Sequence, residues 1–348
     1  MELKQLIKTL SDLRGISGFE YRINDKIEEI IKEYADEVYK DALGNVIAVL
    51  RCGKGNAKSI MIEAHLDEIG LMVTGIDERG FITFTSVGGV DERILPSLEV
   101  TIHGKEDIAG IIGAKPPHLQ TADENKKSIK MSDMAIDVGM SEKEVKKIVS
   151  IGDSITFSQS CGELSKDSFS GKCLDDRAGV AAIITTLKNL KKSILEVDVY
   201  AVIAVQEEVG LRGSKVSAYG INPDMAVAID VCHAITPDNS KDAFESGEGV
   251  VVTVGPNIHP KLAKRLLKTA DEYNIKIDIE AEGGQTGTDA WSIQTVRSGV
   301  ATALLSIPLK YMHTNVETLS IKDVKATSDL LTFFIQNLDD NTEEWLCF

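Results

Sequence analysis

Val197-Asp198-Val199-Tyr200-Ala201-Val202-Ile203-Ala204-Val205 is an apolar run interrupted by Asp198, and it leads straight into Gln206-Glu207-Glu208-Val209-Gly210. A run this short is a strand, not a membrane span. Strands that are apolar almost throughout are buried on both faces, as in a parallel sheet covered by helices. Such sheets place their sites at the carboxyl edge of the strands, where two adjacent glutamates stand here. Working outward, β-rich runs recur at Met225 to Val231, Lys276 to Ala281 and Val300 to Ser306. Helical spacings at Gly179 to Leu190, Pro260 to Tyr273 and Ile321 to Leu338 interleave with them. The alternation predicts an α/β fold with a mixed, largely parallel sheet flanked by helices.

Toward the amino end the pattern reads helix over Leu3 to Leu13, a loop from Gly15 to Gly18, and helix over Arg22 to Tyr34. Strands follow at Asn45 to Leu50 and Ser59 to His65. After Asp67 the texture changes. Leu71 to Asp77, Phe81 to Val87, Leu98 to Ile102 and Ala109 to Ile112 are short runs cut by Gly, Asp and Pro roughly every eight to twelve residues, an all-β signature. We therefore expect a discontinuous α/β domain, residues 1–67 plus 165–348, interrupted by a β-rich insert, residues 68–164. Within the insert, Gln120 to Lys130 reads as a mobile loop.

Composition narrows the function. The 348 residues exceed one ordinary core, and 43 % hydrophobic with 26 % charged residues is typical of a globular chain. A net charge of -16 leaves no basic excess to displace counterions from DNA or RNA. The amphipathic start, Leu3 to Leu13, is not a secretion signal, and no run predicts a membrane span. Cys52, Cys161, Cys173, Cys232 and Cys347 are scattered and form no CxxC pair, which fits a reducing, cytoplasmic setting and argues against a thiolate metal site.

Five residues of metal-ligating type are spread between positions 65 and 313: His65, Asp175, Glu208, Asp230 and His313. Three carboxylates and one shared hydroxide carry four negative charges, which two divalent ions neutralise, so a dry pocket would tolerate the set. His65 ends an apolar strand, and Asp67 two residues on lies on the same face, where a carboxylate can fix a ligating imidazole. A strand-end histidine beside a solvated aspartate reads equally well from that tripeptide alone. Leu174-Asp175-Asp176-Arg177-Ala178-Gly179 opens a helix, and its acids either cap the helix or bridge cations. If Glu208 holds metal, Glu207 is free to take a proton from the attacking water and hand it to the leaving amine. Asp230 ends another apolar run, and His313 sits in a Pro-punctuated loop before the last helix. Gly283 to Ala290 is glycine-rich but lacks the Gly-Lys-Ser/Thr ending and any basic residue, so it reads as a tight loop lining a cleft, not a phosphate cradle.

Ala64-His65-Leu66-Asp67-Glu68-Ile69-Gly70, Gly88-Gly89-Val90-Asp91, Lys115-Pro116-Pro117-His118-Leu119, the Asp175 phrase, the Glu207 phrase and Gly287-Thr288-Asp289-Ala290 occur in an order that resembles the tetrahedral (TET) aminopeptidases. The resemblance spans nearly the whole chain. It implies a zinc-exopeptidase-like fold with an inserted PDZ-like dimerisation domain, and two zinc or cobalt ions bridged by Asp175. Glu208 and His313 would complete one metal position, and His65 and Asp230 the other. Asp67 would orient His65, Glu207 would be the catalytic base, and the Asp175-Asp176 bond would be cis. The substrates would be short peptides and the assembly a homo-oligomer, from dimer to dodecamer.

The chain departs from the pattern at Trp291, Lys310 and Thr314, and Trp291 is expected near the cleft. Other dinuclear amidohydrolases, such as a carboxypeptidase or deacetylase, would share the ligands, as would a metal-binding assembly protein without turnover. An endoglucanase would leave the two histidines and Asp230 without a purpose, and 5 % aromatic residues provide few stacking surfaces for a polysaccharide.

Overall fold

The structure, a computed structural model, describes residues 1–121, 127–339 and 346. Cys347 and part of the Gln120 to Lys130 stretch lie outside the described residues. The chain begins with α1 (Leu3–Asp12) and α2 (Asn24–Ile31), then β1 (Glu37–Lys40), β2 (Val46–Leu50) and β3 (Ser59–His65). Next come β4 (Gly70–Ile76), β5 (Ile82–Val87), β6 (Glu99–His103), β7 (Asp107–Ile112), β8 (Ile136–Asp137), α3 (Glu142–Ile148) and β9 (Ser154–Phe157). The remainder runs β10 (Gly162–Ser165), β11 (Ser168–Gly171), α4 (Leu174–Leu190), β12 (Asp198–Ala204), α5 (Arg212–Ile221) and β13 (Met225–His233). It finishes with β14 (Val250–Val254), α6 (Pro260–Glu272), β15 (Ile277–Ala281), α7 (Asp289–Gln294), β16 (Ala301–Lys310), β17 (Glu317–Ser320) and α8 (Ile321–Gln336).

The expected α/β architecture is present. At the centre of the large sheet β12, β3, β13 and β16 lie side by side and parallel, with antiparallel strands toward both edges. The two-residue alternation of a strand explains the layering. Ile60, Ile62, Val199, Ile203, Val227 and Ile229 face the core built with α1, α2, α4 and α8. Their neighbours Met61, Val202, Ala204, Ala226 and Ala228 face the opposite core with α5 and α7. The branched face carries the two longest helices, α4 and α8, and the alanine-rich face packs α5 and α7. Each fully buried Ile or Val contributes about 1.5–3 kcal/mol relative to exposure.

The expected β insert is a closed antiparallel barrel of β4, β5, β8, β7, β6 and β9, with its own apolar cluster that includes Leu71, Val73, Ile102, Ile136 and Ile155. Several element limits differ from the sequence reading. The helix expected over Arg22 to Tyr34 is a short α2 between two 3-10 turns, Glu20–Arg22 and Lys32–Tyr34. Strand β16 runs on to Lys310, so Pro308 lies within a strand and not in the loop where the sequence put it.

Candidate metal and catalytic site

Parallel register brings the ligand-type residues to one edge. His65 ends β3 opposite Ala204 of β12, and the chain leaving β12 reaches Glu207 and Glu208 three and four residues later. Asp230 lies near the end of β13, opposite Ser306. Asp175 stands at the start of α4, where it and Asp176 are off helical geometry and their peptide bond is cis, as the resemblance implies. His313 follows β16.

All five expected ligands and Glu207 meet in one cavity of about 570 Å³. The two oxygens of Asp175 face two different histidines: Oδ1 lies 3.2 Å from His65 Nε2, and Oδ2 lies 3.3 Å from His313 Nε2. Glu208 Oε1 is also 3.3 Å from His313 Nε2. Ligand atoms fall within 4.8 Å of one another in the sets His65, Asp175 and Asp230; Asp175, Glu208 and His313; and His65, Glu207 and Glu208. Carboxylate oxygen and imidazole nitrogen form a donor set that suits borderline divalent cations, so the residues fit such a group.

The electrostatics say the same. Burial, reinforced by Asp230 and Asp289 against the opposing His65, pushes Glu207 up to about 10. Burial and Asp175 push Asp230 up to about 8. Hydrogen bonds with Asp175 and Glu208 raise His313 to about 11 against its burial. Burial opposes ionisation of Asp175, yet His313 and His65 hold it below the ordinary carboxylate range. Crowded anions out of water retain protons when nothing else neutralises them, and bound cations would displace those protons.

The backbone around the cluster is held by carboxylates that the sequence reading missed. Glu317 accepts from the N-H of Asp175 at 3.1 Å and the N-H of His313 at 3.0 Å, one with each oxygen. Glu20 accepts from Gln206 N at 2.9 Å. Gln206 and His313 both occupy the left-handed region, at φ 59° in each case, a conformation that costs of order 1–3 kcal/mol and survives where surrounding contacts enforce it. Thr314 pins the same turn, donating to Tyr311 O at 2.6 Å and accepting from Val316 N at 3.2 Å.

Asp67 is at the site, but its carboxylate has a different contact from the expected one. It accepts from Ser17 Oγ at 2.5 Å, Glu207 N at 3.0 Å and Glu208 N at 3.1 Å. His65 Nδ1 is 3.7 Å from that carboxylate and 3.3 Å from the Asp67 backbone oxygen. Below the ligands, Glu63 and Asp289 are buried, and burial plus the Asp289 carboxyl holds Glu63 well above the usual range. Asp289 accepts from Ser214 Oγ. Glu63 sits on the same face as His65 two residues away, which was the available signal; Glu20 and Glu317 offered no local one. Trp291, expected near the cleft, is half-buried on α7 and does not line the cavity.

A largely parallel α/β sheet with imidazoles and carboxylates converging at the carboxyl edge of its central strands fits a metal-dependent hydrolase. The signature of the M42 glutamyl aminopeptidases matches residues 44–330, and the chain belongs to that family. It is 38 % identical over 340 residues to a lysyl aminopeptidase of Pyrococcus furiosus, covering 96 % of this chain and 97 % of the relative. Among solved structures it is similar to a TET aminopeptidase from a marine-sediment thaumarchaeon, with TM-score 0.93, 32 % identity and 99 % of each chain covered. It is also similar to the Pyrococcus horikoshii TET1 peptidase, described as assembling into a tetrahedron or a large octahedral shell, with TM-score 0.86, 35 % identity, 97 % of this chain and 100 % of that one. The protein is thus a hydrolase, a metalloaminopeptidase. Among the described residues, no helix is long and apolar enough to cross a membrane.

Proposed function

We propose that this aminopeptidase removes the first residue of short peptides at a two-metal centre in which Asp175 bridges the ions. Glu208 and His313 would hold one ion, and His65 and Asp230 the other. The observation that carries the reading is the division of the Asp175 carboxylate between two imidazoles. When bound, two zinc or cobalt ions would polarise the scissile carbonyl and acidify the attacking water. Glu207, buried beside the cluster, takes the proton from that water and delivers it to the leaving amine. Asp67 sets the position of Glu207 through its backbone N-H, and Glu317 fixes Asp175 against His313.

Residues 1–67 plus 165–348 form the catalytic domain in this reading, and residues 68–164 form the dimerisation domain of a homo-oligomer of between two and twelve subunits. The assemblies described for TET relatives support that. Cys52, Cys161, Cys173 and Cys232 are free thiols, which supports a cytoplasmic setting.

Glu207→Gln tests the base. The variant should bind metal as the parent does, read by metal analysis of the purified protein, and lose roughly 10²- to 10⁴-fold in kcat on aminoacyl-nitroanilides. A variant with full metal content and parental turnover would remove Glu207 from the mechanism.

A further inference from the structure

We propose that the cavity selects a basic residue, lysine or arginine, at the amino end of the peptide, and that Asp242, Glu280 and Glu282 make that selection. The proposal rests on the aminopeptidase reading above and adds the side chain which that reading leaves open. Asp242 lies between β13 and β14, Glu280 lies on β15 and Glu282 just beyond it, yet all three line the cavity that holds the ligand cluster. They belong to none of the sets of converging ligand atoms, so a metal centre does not account for them.

Among the described residues, none of the three makes an ion pair with a lysine or arginine. Glu280 accepts from the Thr253 hydroxyl at 3.1 Å, and Glu282 accepts from the N-H of Gly284 at 2.8 Å. Acids elsewhere in the α/β region are paired: Glu248 with Lys276 at 2.5 Å, and Asp224 with Lys58 at 3.1 Å. Apart from three histidines, the cavity lining contains no side chain able to carry positive charge. A glutamyl side chain entering it would meet three like charges and no lysine or arginine. A lysyl or arginyl head would meet carboxylates already oriented by neutral donors, with all their charge available for charge-assisted hydrogen bonds. Leu211 and Met312, which also line the cavity, offer apolar contact to its methylene stem. Glu280 and Glu282 are half-buried and Asp242 is exposed, so solvent screening keeps the preference moderate.

The test compares kcat/KM of the metal-loaded enzyme on lysyl-, arginyl-, leucyl- and glutamyl-p-nitroanilide. Lysyl and arginyl substrates should exceed leucyl by roughly tenfold, with glutamyl lowest. The double variant Glu280→Gln, Glu282→Gln should bring the lysyl-to-leucyl ratio of kcat/KM near one. Asp242→Asn, at an exposed position where folding is not at stake, should lower the ratio in the same direction. Leucyl or glutamyl activity equal to lysyl, or a ratio that neither variant moves, overturns the proposal and leaves the aminopeptidase reading standing. Calorimetric binding of lysinamide and leucinamide reads the cavity without turnover. Tighter binding of lysinamide by a protein that hydrolyses no aminoacyl amide supports the selection and sinks the hydrolytic reading. Equal binding of both sinks the selection.

Discussion

The large sheet and the barrel are both built around apolar strands, yet they treat charge in opposite ways. In the α/β layers Glu20, Glu63, His65, Asp67, Glu68, Asp175, Asp176, Arg177, Asp230, Asp289 and Glu317 are all buried. Within the barrel, among the described residues, His103 is the buried titratable side chain, and it is fully partnered by Asp107 Oδ1 at 2.8 Å and Thr156 Oγ1 at 2.9 Å. Burying an ionisable group is unfavourable unless another group compensates, so a region that does it repeatedly is organised around those groups. The barrel reaches the site with backbone: Gly88 lies against Glu208, and Gly89 against His313. Chemistry is confined to one region, and the other supplies shape.

The comparison breaks first at Glu68, the residue where the chain passes from sheet to barrel. Its carboxylate is 2.8 Å from Lys172 Nζ and 3.2 Å from Arg177 Nη2, and all three side chains are almost wholly buried. Burial opposes its charge, but Lys172 and Arg177 prevail and lower it from an ordinary 4.5 to about 2. Glu68→Gln leaves two cations buried with one carboxylate fewer and should cost about 3–5 kcal/mol at neutral pH by denaturant unfolding. A depressed acid stabilises the fold above its unfolded value, and the contribution disappears as pH falls through its folded one. The gap between parent and variant should therefore narrow below pH 4.5 and close toward about 2. Equal stability of the two proteins at pH 7 would mean that the junction does not depend on this charge.

Much of this was legible in the sequence, for one reason: strands buried on both faces are apolar throughout, and a charged residue at their end stands out. His65, Glu207, Glu208 and Asp230 were found in that way. The insert announced itself by short runs between turns. Helix α5 was missed because Gly213, Ser214 and Gly220 dilute its apolar spacing, and β8, with two residues, has no pattern to read. Glu20 and Glu317 were invisible because their partners are backbone N-H groups, which carry no residue signature, and two of these, Gln206 and Asp175, are distant in sequence. Asp67 was identified by spacing to His65, but spacing does not specify which donors its carboxylate takes.

A cavity cut in the barrel sharpens the contrast. Ile102 is wholly buried in β6 among the barrel's apolar side chains. Ile102→Ala should cost about 2–4 kcal/mol, through lost burial and the void it leaves. Hydrogen exchange should locate the loss. Amides of β6, β7 and β9 should lose protection while those of β3 and β13 keep theirs, and metal content should hold. Equal deprotection of both regions would mean that they unfold as one unit.

The smallest effect is expected where barrel and site touch. A Cβ added to Gly89 would fall 2.9 Å from His313 Nδ1 and 3.2 Å from its Cε1, closer than atoms of those types ordinarily approach. The His313 side chain is about a third exposed, 36 %, so without metal the ring can turn aside and the fold should hardly register Gly89→Ala. In the proposed two-metal reading the ring would be tied by its bound ion and could not turn aside without disturbing that position. The variant should keep the parental unfolding midpoint in the presence of a chelator yet bind zinc about tenfold more weakly, the lower end of what is lost when the support of a metal ligand is disturbed. Titration with a zinc indicator measures the affinity, and thermal unfolding in chelator measures the fold. If stability falls and affinity does not, the barrel loop is packing for the domain beneath it, and His313 owes its orientation to Glu317 and Thr314 alone.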